Sequence, residues 1–140
     1  MRPLARDPEV DRSLRHSLKD AAAFATMTGI GETYISAWAL FLKATTPQIA
    51  VLASLPPLLA SLVQLLSAWI GHVTGHRKAI VLAGAGLQAF SWLPILVLPL
   101  AMTDYAIPLL IASVVLYHGG AHLVTPQWTS MMGDLVSHRR

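Results

Sequence analysis

Residues Gln48–Ile70, QIAVLASLPPLLASLVQLLSAWI, are the clearest sign of the fold class of this chain. This segment contains no Asp, Glu, Lys or Arg, and it lies within a longer charge-free run over residues 44–76. About 20 apolar residues cross the hydrocarbon core of a bilayer, so the run is long enough for a membrane span. Its prolines at 56 and 57 predict a bend, because neighbouring helices in a membrane can satisfy the carbonyls that proline frees.

Three further runs have the same character. Residues 79–103 and 105–133 carry no Asp, Glu, Lys or Arg, and the run 21–42 is interrupted only by Glu32. The chain is 12% charged, against roughly 25% in an ordinary soluble domain. A length of 140 residues alone would suit one small soluble domain. The four runs instead predict an all-α integral membrane protein with four transmembrane helices.

The predicted organisation is a cytoplasmic amphipathic lead-in over residues 1–20 and a single membrane domain over residues 21–140. The lead-in alternates basic residues with leucines, as segments lying at a membrane surface do. Thr46 is the expected N-cap of the second span, with Pro47 at its first helical position. The predicted spans, followed by a short cytoplasmic end, are 21–42, 48–70, 79–101 and 105–125.

The lysines and arginines predict the orientation. If the spans alternate in direction, nine of them fall on one side and Lys43 alone falls on the other. The positive-inside rule then places both termini and the 71–78 loop in the cytoplasm, with the chain in the inner or plasma membrane. Their spread over three short flanking segments suits topology better than nucleic-acid binding. The nine residues are Arg2, Arg6, Arg12, Arg15, Lys19, Arg77, Lys78, Arg139 and Arg140.

Two segments carry a resemblance to a known family. They are Ala68–Lys78, AWIGHVTGHRK, after the second span, and Pro126–Arg140, PQWTSMMGDLVSHRR, after the fourth. Their positions resemble those of loops in the amino-terminal part of a major facilitator superfamily (MFS) transporter. The family's first loop motif ends in a glycine and a basic pair, which Gly75, Arg77 and Lys78 match.

The chain also departs from that family. The acidic position of the loop motif holds His72, its basic neighbour is Val73, and the leading glycine is Ala68. The fourth span has no arginine, so the proton-antiporter signature is missing. An MFS half has six helices in two three-helix repeats, of which four spans supply one repeat and one further helix.

The resemblance implies alternating-access transport of an unidentified small molecule or ion. We therefore expect a partial or truncated transporter whose pathway is completed by the missing remainder or by copies of itself. The alternative is a small non-transporting four-span protein that self-assembles or regulates a partner. A four-helix drug exporter acting as a dimer fits the two loop segments less well.

Polar residues within the first span form one predicted stripe. Thr28, Glu32 and Ser36 recur every four residues, so one helix face would carry them all. An ionisable side chain inside a membrane usually faces an aqueous cavity or the interior of a helix bundle. Glu32 is thus the candidate for ion or substrate coupling. The alternative is a neutral Glu32 that hydrogen-bonds to a neighbouring helix.

A second stripe lies on the fourth span, where His118, His122 and Thr125 share a face. The resemblance implies that the first and fourth helices line one cavity, which would bring a histidine to Glu32. Two histidines without a third ligand are weak evidence for a metal site, and the alternative to cavity lining is packing or interfacial placement. No nucleophile–base–acid set is visible, so neither catalysis nor a cofactor is expected. Interhelical hydrogen bonds are expected from the two mid-span glutamines, Gln64 and Gln88.

Overall fold

The computed structural model describes residues 8–101 and 104–137, and every regular element in these ranges is helical. This confirms the predicted all-α class for the described residues. The basic residues predicted to flank the membrane at 2, 6, 139 and 140 lie outside those ranges. The elements are α1 (Pro8–Ile30), a 3-10 turn (Glu32–Tyr34), α2 (Ile35–Phe41), α3 (Thr46–Thr74), α4 (Arg77–Phe90), α5 (Trp92–Ala101) and α6 (Ala106–Ser137).

The chain divides into two compact units at the start of α2. The first unit ends at Ile35 and contains α1 and the 3-10 turn. The second begins at Ser36 and contains the rest of α2 together with α3 to α6. The described part of the predicted lead-in, residues 8–20, and the beginning of the predicted first span belong to one helix, α1.

The predicted first span, residues 21–42, is not one continuous α-helix. α1 ends at Ile30, and the 3-10 turn lies between it and α2. Gly31 favours an end here because glycine loses more backbone entropy in a helix than other residues do. The hydroxyl of Thr33 donates a hydrogen bond of 3.2 Å to the carbonyl oxygen of Thr28, which caps the end of α1.

α3 contains the predicted second span and extends it at both ends. Its N-cap is Thr45, one residue before the predicted Thr46, so Pro47 occupies the second helical position. A missing N–H is equally tolerated there, because the first N–H groups of a helix have no intrahelical partner. The side-chain oxygen of Gln48 accepts hydrogen bonds from the N–H and the hydroxyl of Thr45, at 2.8 and 3.0 Å. The helix continues through both internal prolines.

The connection between α3 and α4 is shorter than the predicted 71–78 loop. Only Gly75 and His76 lie between the two helices. Gly75 has φ 68° and ψ −3°, and its N–H donates to the carbonyl oxygen of Gly71 at 3.0 Å. A left-handed residue of this kind ends a helix with little strain only when it is glycine.

The predicted third span is divided into α4 and α5 at Ser91. Pro94 explains the division, because its nitrogen cannot donate to the carbonyl of Phe90 four residues earlier. Proline is tolerated in the first turn of the helix that follows. The hydroxyl of Ser91 donates to the carbonyl oxygen of Gln88 at 2.6 Å. Both pieces together form an apolar helical segment of 22 residues, Arg77–Leu98.

α6 is the central packing partner of α3, α4 and α5 in the second unit. Leu110, Val114 and Tyr117 recur along one face at helical spacing, and each is at most 2% exposed. The helix continues past the predicted end at Thr125 to Ser137, so most of the predicted cytoplasmic end is helical.

Three helical segments of the described chain are long and apolar enough to cross a membrane. They are Thr46–Thr74, Arg77–Leu98 and Ala106–Asp134, which correspond to the predicted second, third and fourth spans. The predicted first span is not among them, because its apolar residues are divided between the end of α1 and the short α2. The fold is thus compatible with a multi-pass membrane protein.

Candidate functional site: polar contacts of the apolar helices

An ion pair joins the start of α4 to the end of α6. The guanidinium Nη1 of Arg77 lies 2.8 Å from Oδ2 of Asp134. The two side chains are 42% and 69% exposed. An ion pair this accessible to solvent contributes about 0–1 kcal/mol to stability. Its position matters because it connects the two segments from which the resemblance to MFS transporters is predicted.

The other two residues of the predicted loop motif lie close to Arg77 along the chain. Gly75 ends α3 in the left-handed conformation, which explains why a glycine is required there. Lys78 lies in the first turn of α4 and is exposed. The three motif residues are therefore close along the chain, at one end of α3 and α4.

A buried polar contact lies between α3 and α6. The hydroxyl of Ser67 donates to the carbonyl oxygen of Leu123 at 2.6 Å, and Nε2 of Gln127 donates to the carbonyl oxygen of Ser67 at 2.6 Å. Ser67 and Gln127 are 0% and 4% exposed. Hydrogen bonds between helices replace the missing hydrophobic driving force inside a bilayer, where lipid is as apolar as the side chains.

Gly71 permits this contact. A Cβ atom at that position would overlap the side-chain amide of Gln127. Beside them is a cavity of about 210 Å³, whose polar lining includes His72, Arg77 and Ser130. The polar contact between α3 and α6 thus continues into the region of the Arg77–Asp134 ion pair.

The two candidate histidines of α6 have different surroundings. Nδ1 of His122 lies 2.9 Å from Oε1 of Gln64. An amide oxygen only accepts hydrogen bonds, so the contact requires the proton on Nδ1. This confirms the predicted interhelical role of Gln64. The ring of His118 lies edge-on to that of Tyr117, with the centroids 5.3 Å apart.

Thr125, the third member of the α6 stripe, is exposed. Its hydroxyl donates to the carbonyl oxygen of Ala121 on its own helix at 2.9 Å. Within residues 8–101 and 104–137, no group of three His, Cys, Asp or Glu side chains is placed to hold a metal ion.

Gln88 differs from Gln64. It is 8% exposed, and its Nε2 has no hydrogen-bond partner among the described residues. The predicted interhelical hydrogen bond is therefore wrong for this donor. Gln88 lies where α4 and α6 approach closely at Gly84 and Gly120. A Cβ added at Gly84 would lie 2.8 Å from the carbonyl oxygen of Gly120, and a Cβ added at Gly120 would lie 2.6 Å from that of Gly84.

The candidate residues of the first span lie on separate elements. Thr28 is in α1, Glu32 begins the 3-10 turn, and Ser36 is in α2. The single α-helix on which we predicted the stripe is interrupted between them. Thr28 donates its hydroxyl to the carbonyl oxygen of Phe24 at 3.0 Å. The pairing of Glu32 with a histidine of α6 stays a prediction.

Sequence reasoning missed the residues that carry the buried contact, Ser67 and Gln127. Ser67 stands one helical turn before Gly71, and this spacing on one face was the available signal. Gln127 lies beyond the predicted end of the fourth span, so it was assigned to the cytoplasmic end.

Comparison with known protein families, curated proteins and solved structures finds no match to this chain. The class that the fold defines is an all-helical chain with three apolar helices of membrane-spanning length among its described residues. The likeness to MFS transporters stays a prediction from the residues of the two loop segments.

Proposed function

We propose that this chain forms part of a transporter that moves a small solute across the inner or plasma membrane by alternating access. One observation carries the proposal. The Arg77–Asp134 ion pair of 2.8 Å joins the two segments that resemble the loops of an MFS half. If the two segments act together, as the resemblance implies, they must lie in contact although they are far apart in sequence.

The polar residues inside the apolar helices support the same proposal. Gln64 and His122 meet between α3 and α6, and Glu32 adds an acidic group in the predicted first span. Ionisable and amide groups at membrane depth mark solute or ion pathways. In this proposal Glu32 couples the solute to an ion, and further helices complete the pathway. Those helices come from copies of this chain or from another polypeptide.

Transport is tested by uptake into cells that express the chain, or a longer reading frame containing it. Radiolabelled sugars, amino acids, organic acids and cationic drugs are the probes, with an empty vector as background. We expect at least one solute class to accumulate above background. Glu32→Gln should then reduce coupled uptake, because the amide has no ionisable proton to exchange with a coupling ion.

Asp20→Asn is the matched control. It removes an acidic residue one segment earlier on α1, in the predicted surface lead-in, and should leave uptake unchanged. Equal uptake by Glu32→Gln and the wild-type chain would remove Glu32 from the mechanism. No uptake of any probe by a correctly inserted, stable chain would contradict transport.

A second candidate function, self-association or regulation of a partner, is favoured by the exposed apolar surface. Only 17%, 22% and 33% of the most apolar stretches of Thr46–Thr74, Arg77–Leu98 and Ala106–Asp134 are buried within the chain. Contiguous apolar surface of this extent is covered by lipid or by other helices. A stable purified oligomer without solute flux in liposomes would support this candidate against transport.

A further inference from the structure

A groove lies where α4 begins and α6 passes beside it. Its volume is about 510 Å³, and its lining combines basic and apolar residues. His76, Arg77 and Lys78 contribute the basic side chains. The apolar walls include Leu82 from α4 and Met131 from α6.

The charges around this groove are unequally compensated. Arg77 is paired with Asp134 at 2.8 Å. Lys78 is exposed, and no carboxylate pairs with it within residues 8–101 and 104–137. Its ammonium group is thus a cation in need of a counter-ion at the end of an apolar helix.

Along α4 a basic groove residue is followed by an apolar one, as the charged head group of a phospholipid is followed by its acyl chains. Lys78 and Leu82 are four residues apart, so they stand one above the other on the same helix face, roughly 5–6 Å apart at Cβ. Leu82 is 64% exposed and lies farther into the apolar segment. Met131 of α6 also lines the groove, and its unbranched side chain can adapt to an acyl chain.

We propose that this groove binds one anionic phospholipid from the leaflet around the α3–α4 connection. The phosphate lies at Lys78, with His76 at its side, and one acyl chain follows Leu82 and Met131. A free phosphate would gain nothing from the apolar walls, and a zwitterionic lipid would leave Lys78 without net counter-charge. Basic pockets between membrane helices recognise anionic head groups by this charge complementarity. The inference does not depend on transport activity.

Native mass spectrometry of the purified full chain tests the proposal. The probes are phosphatidylglycerol and phosphatidylcholine, added in equal amounts to the detergent-solubilised protein. The wild-type chain should retain one phosphatidylglycerol in preference to phosphatidylcholine. Lys78→Gln should lower that preference about fivefold, since one basic residue near an anionic surface contributes about 1 kcal/mol. Lys78→Arg should keep it.

Two further variants separate this site from general charge attraction. Lys43→Gln removes an exposed lysine at the other end of α3 and should keep the preference. Met131→Trp fills the groove while Lys78 remains, and should abolish retention of the single phosphatidylglycerol. The proposal is overturned if the wild-type chain shows no preference, if Lys78→Gln and Lys43→Gln behave alike, or if Met131→Trp retains the lipid.

Discussion

Buried polar side chains in this chain are satisfied mainly by the backbone of a neighbouring or the same helix. Ser67 and Gln127 bond across the α3–α6 contact, and Ser113 bonds to the carbonyl oxygen of Leu109 at 2.7 Å. Such contacts stabilise the fold, because transferring a polar group to an apolar medium without a hydrogen-bond partner costs roughly 2–7 kcal/mol of free energy. Nε2 of Gln88 is the contrast, since it is buried without a partner in the described part of the chain.

The first prediction concerns Gln127, whose side chain donates to Ser67. Gln127→Leu should lower the free energy of unfolding by about 0.5–1.5 kcal/mol, because it removes the interhelical hydrogen bonds that Nε2 donates to the carbonyl oxygen and the hydroxyl of Ser67. Chemical unfolding in detergent micelles, followed by circular dichroism, measures the change.

Thr125→Val is the control for this variant. The hydroxyl of Thr125 is exposed and, among the described residues, bonds only to Ala121 of the same helix, so the change should stay below about 0.5 kcal/mol. Equal losses for the two variants would show that the Ser67–Gln127 contact does not stabilise the α3–α6 interface.

At the scale of helices, small residues and prolines decide how the apolar segments end and pack. Gly84 and Gly120 bring α4 and α6 into backbone contact, whereas a Cβ added at Gly86 or Gly119 would meet nothing within 4 Å. Pro94 divides the third span, yet Pro126 does not end α6. The presence of a glycine therefore does not by itself identify a helix–helix contact. Close approach occurs only at glycines on the helix face that packs against the neighbouring helix.

The second prediction tests this difference between adjacent glycines. Gly120→Ala should lower the free energy of unfolding by about 1–3 kcal/mol, since its Cβ would lie 2.6 Å from the carbonyl oxygen of Gly84 and force the helices apart. Gly119→Ala should leave stability unchanged or slightly raised, because alanine is the better helix former. Unfolding curves of the two variants that coincide would contradict the close approach of α4 and α6.

At the scale of the molecule, the three apolar helices leave most of their surface uncovered. The most apolar stretch of each helical segment is at most 33% buried. Lipid or further helices must therefore surround these segments in a folded protein inserted in a membrane. α6 has the largest buried share because α3, α4 and α5 all pack against it. Orientation across the membrane stays a prediction from the distribution of basic residues.

The third prediction concerns topology, and the absence of cysteine makes it simple to test. Single cysteines replace His16, Thr46 and His76, and a membrane-impermeant maleimide is applied to intact cells. We expect labelling of Thr46→Cys alone, because four spans with cytoplasmic termini place only that residue outside. The other two should label after permeabilisation.

The comparison of His16→Cys with Thr46→Cys decides whether the first segment crosses the membrane. Labelling of both from the same side would show that α1 and α2 do not cross, and would leave three spans. Labelling of His76→Cys but not Thr46→Cys in intact cells would reverse the orientation.

Much of the fold was predictable from the charge-free runs, and much of the candidate site was not. The second, third and fourth predicted spans correspond to helices because bilayer thickness imposes a length that can be read along the chain. Their ends were less accurate: α6 continues through Pro126, and the α3–α4 connection contains two residues. Gln64 was correctly assigned an interhelical hydrogen bond, while the contact of Ser67 with Gln127 was missed.

The helical class and the positions of the apolar segments could be read from the amino-acid sequence, since both follow from hydrophobicity and charge along the chain. Which polar residues meet could be read only from the folded arrangement of the helices. In the folded chain Arg77 pairs with Asp134 and Ser67 bonds to Gln127, and Gly120 rather than Gly119 lies at the close contact of α6 with α4. These outcomes depend on how each helix is rotated and where two helices cross, and both are set by packing between residues distant in the chain.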